Sequence, residues 1–328
     1  MPSHDTVVIG ASAGGVEALT AIVSRFPASL PAAVFVVIHL PVNSPSVLPQ
    51  ILQRAGPLPA AFASHGEAIK HGHIYVAPPD HHLLIARGYM RVVRGPKENR
   101  HRPSADALFR TAASAYGPRV VGVVLTGALD DGTMGLQAVK RRGGLAVVQD
   151  PHDALVPSMP RSALESVQVD YCLPLAEIAP LLAQLAREPA EKVLESMEVN
   201  MAEPEQEELP ELASGFTCPD CHGALWELHD GELIRFRCRV GHTFSPDSLL
   251  EGQSEALERA LWSAIRGLEE RAALTRQLGQ RMRARGVLST ATRFDERAQE
   301  VEQQATLLRQ YVLNNHFDHH LAEDPKQS

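Results

Sequence analysis

Aromatic side chains are scarce in this 328-residue chain, at 5%, and cysteine is scarcer still, with four residues. Three of the four thiols cluster in metal-ligand spacing, which fits a reducing compartment better than a disulfide scaffold. No apolar run approaches the ~20 residues that a bilayer span requires. The first strand-like segment starts within a few residues of Met1, leaving no room for a signal peptide, so the expectation is a cytoplasmic chain without membrane insertion. A broad basic field is also missing. The 31 Lys and Arg face 39 Asp and Glu, for a net charge of -8, which argues against nucleic acid as a partner. What remains is 44% hydrophobic and 21% charged residues, the balance of a soluble globular protein long enough for two or three modules.

The stretch Thr6-Val7-Val8-Ile9-Gly10-Ala11-Ser12-Ala13-Gly14-Gly15 runs a β-branched strand into a glycine-flanked serine at a helix start. Gly10, Ser12 and Gly14 have the G-x-S-x-G spacing of a nucleophile elbow, where small neighbours let a serine hydroxyl stand at the tip of a tight turn. The amides that follow, with the helix N-terminus, can stabilise negative charge on a substrate oxygen. The same letters read as a loose dinucleotide fingerprint. Against it, Ser12 takes the place of the second glycine of G-x-G-x-x-G, and about 20 residues on the chain offers Val34-Phe35-Val36-Val37 where a ribose-binding acid belongs. The plainest alternative is a strand-to-helix junction whose serine is only an N-cap.

Two further apolar runs end in polar residues. Ala33-Val34-Phe35-Val36-Val37-Ile38 leads into His39-Leu40-Pro41, and Val120-Val121-Gly122-Val123-Val124-Leu125 leads into Thr126-Gly127-Ala128-Leu129-Asp130-Asp131-Gly132. In an open parallel sheet ligands bind at the carboxyl ends of the strands, so serine, histidine and aspartate are expected to converge there. Taken singly, His39 reads as a core histidine and Asp131 as the N-cap of a helix beginning near Thr133.

In these segments the chain resembles the catalytic domain of the CheB-type protein-glutamate methylesterases. The resemblance is carried by Gly10 to Gly15, His39-Leu40-Pro41, Tyr75-Val76-Ala77-Pro78-Pro79-Asp80, Arg102-Pro103-Ser104-Ala105-Asp106, Leu125-Thr126-Gly127 with Asp131-Gly132, and Pro157-Ser158-Met159-Pro160. It spans about residues 4 to 186 and implies an α/β fold with a doubly wound, mostly parallel sheet flanked by helices. It also implies a triad of Ser12 as nucleophile, His39 as general base and Asp131 as the residue orienting the imidazole. The implied activity is that of a carboxylic ester hydrolase, removing methyl groups from glutamate γ-methyl esters on chemoreceptor-like proteins and releasing methanol, with glutamine deamidation as a possible companion. Asp130 is the rival acid; Asp131 is preferred because it directly precedes Gly132, as the family's catalytic acid does.

This chain departs from the family pattern in two places. The family's Leu-Thr-Gly-Met-Gly is Leu125-Thr126-Gly127-Ala128-Leu129 here, and the threonine after the nucleophile is Ala13. The amides of Ala13 and Ala128 are the candidate oxyanion donors, while Leu129 is not expected to accept a positive φ easily. A receiver domain usually precedes this catalytic domain, yet only eleven residues precede Ser12. Control by phosphorylation in cis is therefore not expected. A separate receiver or histidine-kinase protein is the partner that could replace it.

Beyond the matched region, Glu188 to Ser214 holds nine glutamates against one lysine, with Pro189, Pro204 and Pro210, and reads as a flexible acidic linker. Next come Cys218-Pro219-Asp220-Cys221 and Cys238-Arg239-Val240-Gly241-His242, a C-x2-C and a C-x3-H separated by sixteen residues. Asp230-Gly231 between apolar runs is a hairpin signal that would bring the two pairs together. Cys218, Cys221, Cys238 and His242 are the expected ligands of a closed, structural zinc, with His222 as a less favourable fourth ligand. Arg235, Arg237 and Arg239 should share one face of a strand, and Cys172 reads as a buried core thiol.

From Pro246 the pattern turns helical, with Leu257, Leu261, Ile265, Leu268 and Ala272, then Phe294, Ala298, Val301, Ala305, Leu308 and Val312, at spacings of three and four. Gly286 lies between the two stripes, so an antiparallel helical hairpin is expected, with homodimerisation as one use of it. The expected organisation is a catalytic domain over 1–187, a linker over 188–214, a zinc ribbon over 215–245 and the hairpin with a frayed end over 246–328, the ribbon and hairpin being separable from the esterase. The alternative to an enzyme is a signalling adaptor that works through its ribbon and hairpin, its active site weakened at Ala128 and Leu129.

Overall fold

The computed structural model describes residues 3–39, 47–190, 209–210, 212–231 and 233–314. Most of the expected acidic linker, Leu40-Pro41 of the histidine motif and the C-terminal end beyond Asn314 lie outside the described residues.

The first half of the chain alternates strand and helix: β1 (Thr6–Ala11), α1 (Gly15–Val23), β2 (Ala33–Ile38), α2 (Leu48–Ala55), β3 (Ala60–Phe62) and β4 (Ile74–Val76). A small hairpin of β5 (His82–Ala86) and β6 (Tyr89–Val93) follows, and then α3 (Ala105–Tyr116), β7 (Val120–Val124), α4 (Thr133–Arg141), β8 (Leu145–Gln149), α5 (Ser158–Ser166), β9 (Tyr171–Leu173) and α6 (Leu175–Leu185). Seven strands form one sheet in the order β3-β4-β2-β1-β7-β8-β9, and every pairing in it is parallel. The expected doubly wound sheet is thus wholly, not mostly, parallel.

β1, β2 and β7 are buried along their full length, as their unbroken apolar runs require of central parallel strands with both faces covered. Alternate residues serve opposite cores. Val7, Ile9, Val34 and Val36 pack with α1 and α6 residues, while Val8, Phe35 and Val37 pack with Leu108 and Phe109 of α3 and Leu136 of α4. Cys172 does not join either core: it is exposed, because β9 is the edge strand of the sheet.

β1 and β7 are neighbours whose chains turn away to opposite sides, making the switch point where such sheets open a crevice. Close helix packing under this point depends on glycine. A Cβ on Gly10 would lie 2.7 Å from Ala105 Cβ at the start of α3. One on Gly135 would lie 2.6 Å from Phe109 Cβ and 2.8 Å from Asp106 Cα.

The chain divides into two compact units, residues 1–249 and 250–328. The ribbon therefore belongs to the same unit as the α/β sheet, and the break expected near Ser214 is not the division between units. Its strands are β10 (Leu225–Asp230), β11 (Leu233–Cys238) and β12 (Thr243–Phe244), around a core of Leu225, Phe236, Phe244 and Leu249. The antiparallel β10–β11 hairpin turns at Gly231, whose φ is 68°, at the predicted Asp-Gly position. Thr243 joins the ribbon to the preceding domain: its N–H donates to Lys97 O (3.2 Å) and its carbonyl accepts from Asn99 N (2.7 Å). Beyond it run α7 (Pro246–Ala284) and α8 (Leu288–Asn314).

The second unit is the helical hairpin, closed at Gly286 with φ 78°. Ile265, Ala272, Ala298, Val301, Ala305 and Val312 are buried in it as predicted, whereas Leu257 is 50% exposed. Arg276 pairs with Glu302, Arg283 with Asp295 and Arg309 with Glu269 across the two helices.

Gly135→Ala should cost about 1–3 kcal/mol by forcing α3 from α4. A denaturant midpoint equal to that of the unmodified chain would show that the two helices separate freely.

Candidate active site

Ser12 and His39 each follow a central strand directly, and Ala11 and Ile38 before them are register partners. His39 N donates to Ala11 O (3.3 Å), and Ser12 N donates to Thr126 O (3.0 Å), so the ends of β2, β1 and β7 are tied together at one edge. Gly14 takes φ 75° as the N-cap residue of α1, which gives the turn after Ser12 its need for glycine. Gly127 is packed too closely for a side chain: its Cβ would meet Met159 Sδ at 2.1 Å and Ser12 Cβ at 2.8 Å. Ala13 and Ala128, which follow Ser12 and Gly127 in the chain, are exposed.

His39 is bound through Nε2 to Asp131 Oδ2 at 2.8 Å. An ionised carboxylate only accepts, so Nε2 carries the proton and Nδ1 offers a lone pair. Nδ1 is buried and has no hydrogen-bond partner among the described residues.

Asp131 accepts from four more donors: Ala105 N (2.7 Å) at Oδ2, and Ser104 Oγ (2.7 Å), Asn99 Nδ2 (3.0 Å) and Asp106 N (3.3 Å) at Oδ1. Two of these donors are amides at the N-terminus of α3, where the helix dipole favours an anion. Burial works against the charge, but the His39 hydrogen bond and the surrounding donors more than offset it, so the carboxyl sits below its ordinary range. Asp106 is pushed the opposite way by burial and by the charge of Asp131, while the Gly135 amide opposes the shift.

Asp130 faces elsewhere. Burial, with help from Asp247 and Asp131, raises its carboxyl to about 7, while the nearby Ser245 opposes the shift. Of the adjacent acids, only Asp131 reaches the histidine.

Residues 94–103 form a strap beside His39. Arg102 donates to Asp80 Oδ1 through Nε (2.9 Å), Arg110 binds Glu98 (2.9 Å), and Glu98 and His101 exchange backbone hydrogen bonds. His101 stacks on His39 with ring centroids 3.7 Å apart and planes 8° from parallel. Burial and the neighbouring His39 lower His101 to about 3, so it stacks as a neutral ring. A cavity of about 70 Å³ opens here, lined by His39, Asp80, Lys97, Arg100, His101, Arg102 and Pro103. Asn99 and His101 were missed in the sequence because neither belongs to a recognisable spacing; only the fold brings them to Asp131 and His39.

Leu129 adopts φ 60° despite its branched side chain. The expectation that it would resist this conformation is therefore wrong: the loop keeps its left-handed turn, with leucine bearing the strain.

In the ribbon, one ligand atom from each of Cys218, Cys221, Cys238 and His242 lies within 4.8 Å of the others. Cys221 Sγ and Cys238 Sγ are 3.6 Å apart, and His242 Nδ1 is 3.5 Å from Cys238 Sγ and 3.7 Å from Cys218 Sγ. Metal–sulfur bonds of about 2.3 Å in a tetrahedron give edges of about 3.8 Å, so the cluster fits a small closed-shell cation. His222 is exposed and outside the cluster. Arg235 and Arg237 alternate with the buried Phe236 and Cys238 on β11, while Arg239 lies 5.4 Å over the Trp226 ring.

A wholly parallel doubly wound sheet with a histidine–carboxylate pair beside a glycine-flanked serine defines a hydrolase-like α/β protein. The CheB methylesterase family model matches residues 7–182, and the chain belongs to that family. It is 41% identical over 184 residues to a Leptospira interrogans protein provisionally named protein-glutamate methylesterase/protein-glutamine glutaminase, covering 56% of this chain and 95% of that one. A Hydrogenovibrio crunogenus protein of the same name, without the qualifier, is 38% identical over 181 residues, which are 54% of this chain and about half (48%) of that one. The crystal structure of the Thermotoga maritima CheB methylesterase catalytic domain superposes with a TM-score of 0.54 at 33% identity, over 56% of this chain and 99% of that one.

The raised carboxyl of Asp130 gives a pH test. The folded state holds this proton more tightly than the unfolded chain does, so the group's stabilisation is full below about pH 3.9 and is lost as pH rises through about 7. Asp130→Asn should remove that loss, improving stability relative to the unmodified chain by about 2–3 kcal/mol more at pH 8 than at pH 5. A difference independent of pH in paired thermal melts would contradict it.

Proposed function

We propose that this chain is a serine hydrolase that removes methyl groups from glutamate γ-methyl esters on chemoreceptor-like signalling proteins. The observation that carries the reading is His39, bound at Nε2 by Asp131 and left with a buried, unpartnered Nδ1 at the strand end next to Ser12. In the first step Ser12 Oγ attacks the γ-carbonyl carbon while Nδ1 takes the hydroxyl proton. The tetrahedral oxyanion forms where the amides of Ala13 and Ala128 are in reach. It collapses with cleavage of the carbon–methoxy bond, and the proton on Nδ1 leaves with methanol. Water, deprotonated by Nδ1, then cleaves the acyl-enzyme, returning the proton to Ser12 and leaving a free glutamate. The same cycle on a glutamine side chain would release ammonia, in keeping with the glutaminase half of the relatives' name. Lys97, Arg100 and Arg102 around the cavity favour an acidic peptide segment.

The Cys3His cluster is best filled by zinc: four ligands close the tetrahedron and leave no position for a reacting water, so the ion is structural. Reduced thiols suit a cytoplasmic enzyme, and a separate receiver or histidine-kinase protein is a partner that could regulate it.

Ser12→Ala should abolish methanol release from a methylated receptor preparation, by at least about 1,000-fold, and should block labelling by a fluorophosphonate probe. Labelling of the unmodified chain separates the enzyme from an inactive adaptor. Asp131→Asn should cost on the order of 1,000-fold while Asp130→Asn costs less than about tenfold; the reverse ranking would reassign the acid. Elemental analysis should find one zinc per chain, lost when Cys218 and Cys221 are both changed to serine.

A further inference from the structure

Asn99 joins the ribbon to the carboxylate beneath His39. It is 4% exposed, and its side-chain amide is used at both ends. Nδ2 donates to Asp106 Oδ2 (2.6 Å) and Asp131 Oδ1 (3.0 Å). Oδ1 accepts from Ser245 N (3.1 Å) and Ser248 Oγ (3.3 Å). Reversing the amide would set donors against donors at one end and acceptors against acceptors at the other, so the orientation is fixed. The backbone is held as well, by Asn99 N to Thr243 O and by Thr243 N to Lys97 O.

Thr243, Ser245 and Ser248 are placed by the ribbon. Thr243 directly follows the ligand His242 and pairs with Arg237 one residue before the ligand Cys238. Ser245 Oγ accepts from Ser248 N (3.1 Å), capping the first turn of α7 and setting both serines against Asn99. Asn99 and Arg100 have φ of 48° and 69°, two consecutive left-handed residues that need support from outside the strap.

We propose that the metal-folded ribbon is a positioning element of the active site: through Thr243, Ser245 and Ser248 it holds Asn99 on Asp131, and so fixes the orientation of the His39 imidazole. Asn99 is a positioning residue, and the metal acts on catalysis only by keeping the ribbon folded. This rests on the serine-hydrolase reading above and replaces the expectation that hydrolysis is indifferent to the ribbon.

The test uses the full chain with 15N-labelled histidine. The first readout is the low-field proton resonance of His39 Nε2–H, assigned by its loss in His39→Gln; the second is kcat and KM on a glutamyl methyl ester peptide. Asn99→Gly keeps the left-handed backbone and deletes the amide, Ser248→Ala loosens the amide from the ribbon, and zinc is removed by a chelator and then restored. Asn99→Gly and zinc removal should each displace or broaden the resonance and lower kcat about tenfold, the worth of one charge-assisted hydrogen bond, with KM changed less than about twofold. Ser248→Ala should act in the same direction by less. In Asn99→Gly, zinc removal should lower kcat no further, and restored zinc should rescue only the unmodified chain. An unmoved resonance and full kcat in Asn99→Gly would overturn the proposal, and so would the same result in the zinc-free chain. The resonance is read without turnover, so a chain inactive on every ester would refute the hydrolase reading while this proposal was still decided. If chelation unfolds the whole chain, Asn99→Gly and Ser248→Ala with zinc bound decide it alone.

Discussion

A carboxylate taken almost wholly out of water is the constraint on which the rest of this site depends. Asp131 is 2% exposed, and an unpaired charge so placed would cost several kcal/mol. Five donors answer it: one imidazole, one amide side chain, one hydroxyl and two backbone amides. They come from β2's end, the strap and the start of α3, so these parts must meet at one point to within a few tenths of an ångström. The glycines under the site follow from that demand. Gly10 lets the first turn of α3 approach β1, Gly135 lets α4 close on α3, and Gly132 turns the chain at φ 101° directly after the acid.

The neighbouring acids divide by environment. Asp131, facing His39 and α3's amides, is held ionised; Asp106, one shell deeper and facing Asp131, is pushed up; Asp130, turned to Ser245, is pushed up as well. Three carboxyl groups within reach of one another cannot all be ionised at low cost. The one kept charged is the one that touches the imidazole. A fixed anion there holds Nε2–H in place and would stabilise an imidazolium formed as Nδ1 takes a proton, which is the property the proposed hydrolysis needs.

The strand ends were legible in the sequence because their signals are local. An apolar run of β-branched residues broken by a polar residue can be read without knowing the partner strands, and the parallel register then sets Ser12 beside His39. The four metal ligands were legible for the same reason. What stayed hidden was every relation made only by tertiary approach. His101 gives no sign in the sequence that it will stack on a histidine 62 positions earlier, and Asn99 none that it will bind residues near 131 and 245 at once. Cys172 was misread because a short apolar run does not say whether its strand is central or at an edge. Leu129 was misread because local φ preference, worth roughly 1–2 kcal/mol, was overruled by the loop's surroundings.

Strain of that kind is concentrated around this site. Asp80, Asn99, Arg100 and Leu129 all have positive φ without being glycine, and Asp80 and Arg100 line the cavity beside His39. Such conformations persist only where the surroundings fix them more strongly than the backbone resists. For Asp80 the means are Arg102 and Arg94. For Asn99 they are Thr243, Ser245 and Ser248, all beyond residue 182, where the match to the family model stops. The strap's conformation is therefore maintained in this chain by a segment outside the matched region. The ribbon, which read in the sequence as a detachable module, is physically continuous with the support of the carboxylate under His39.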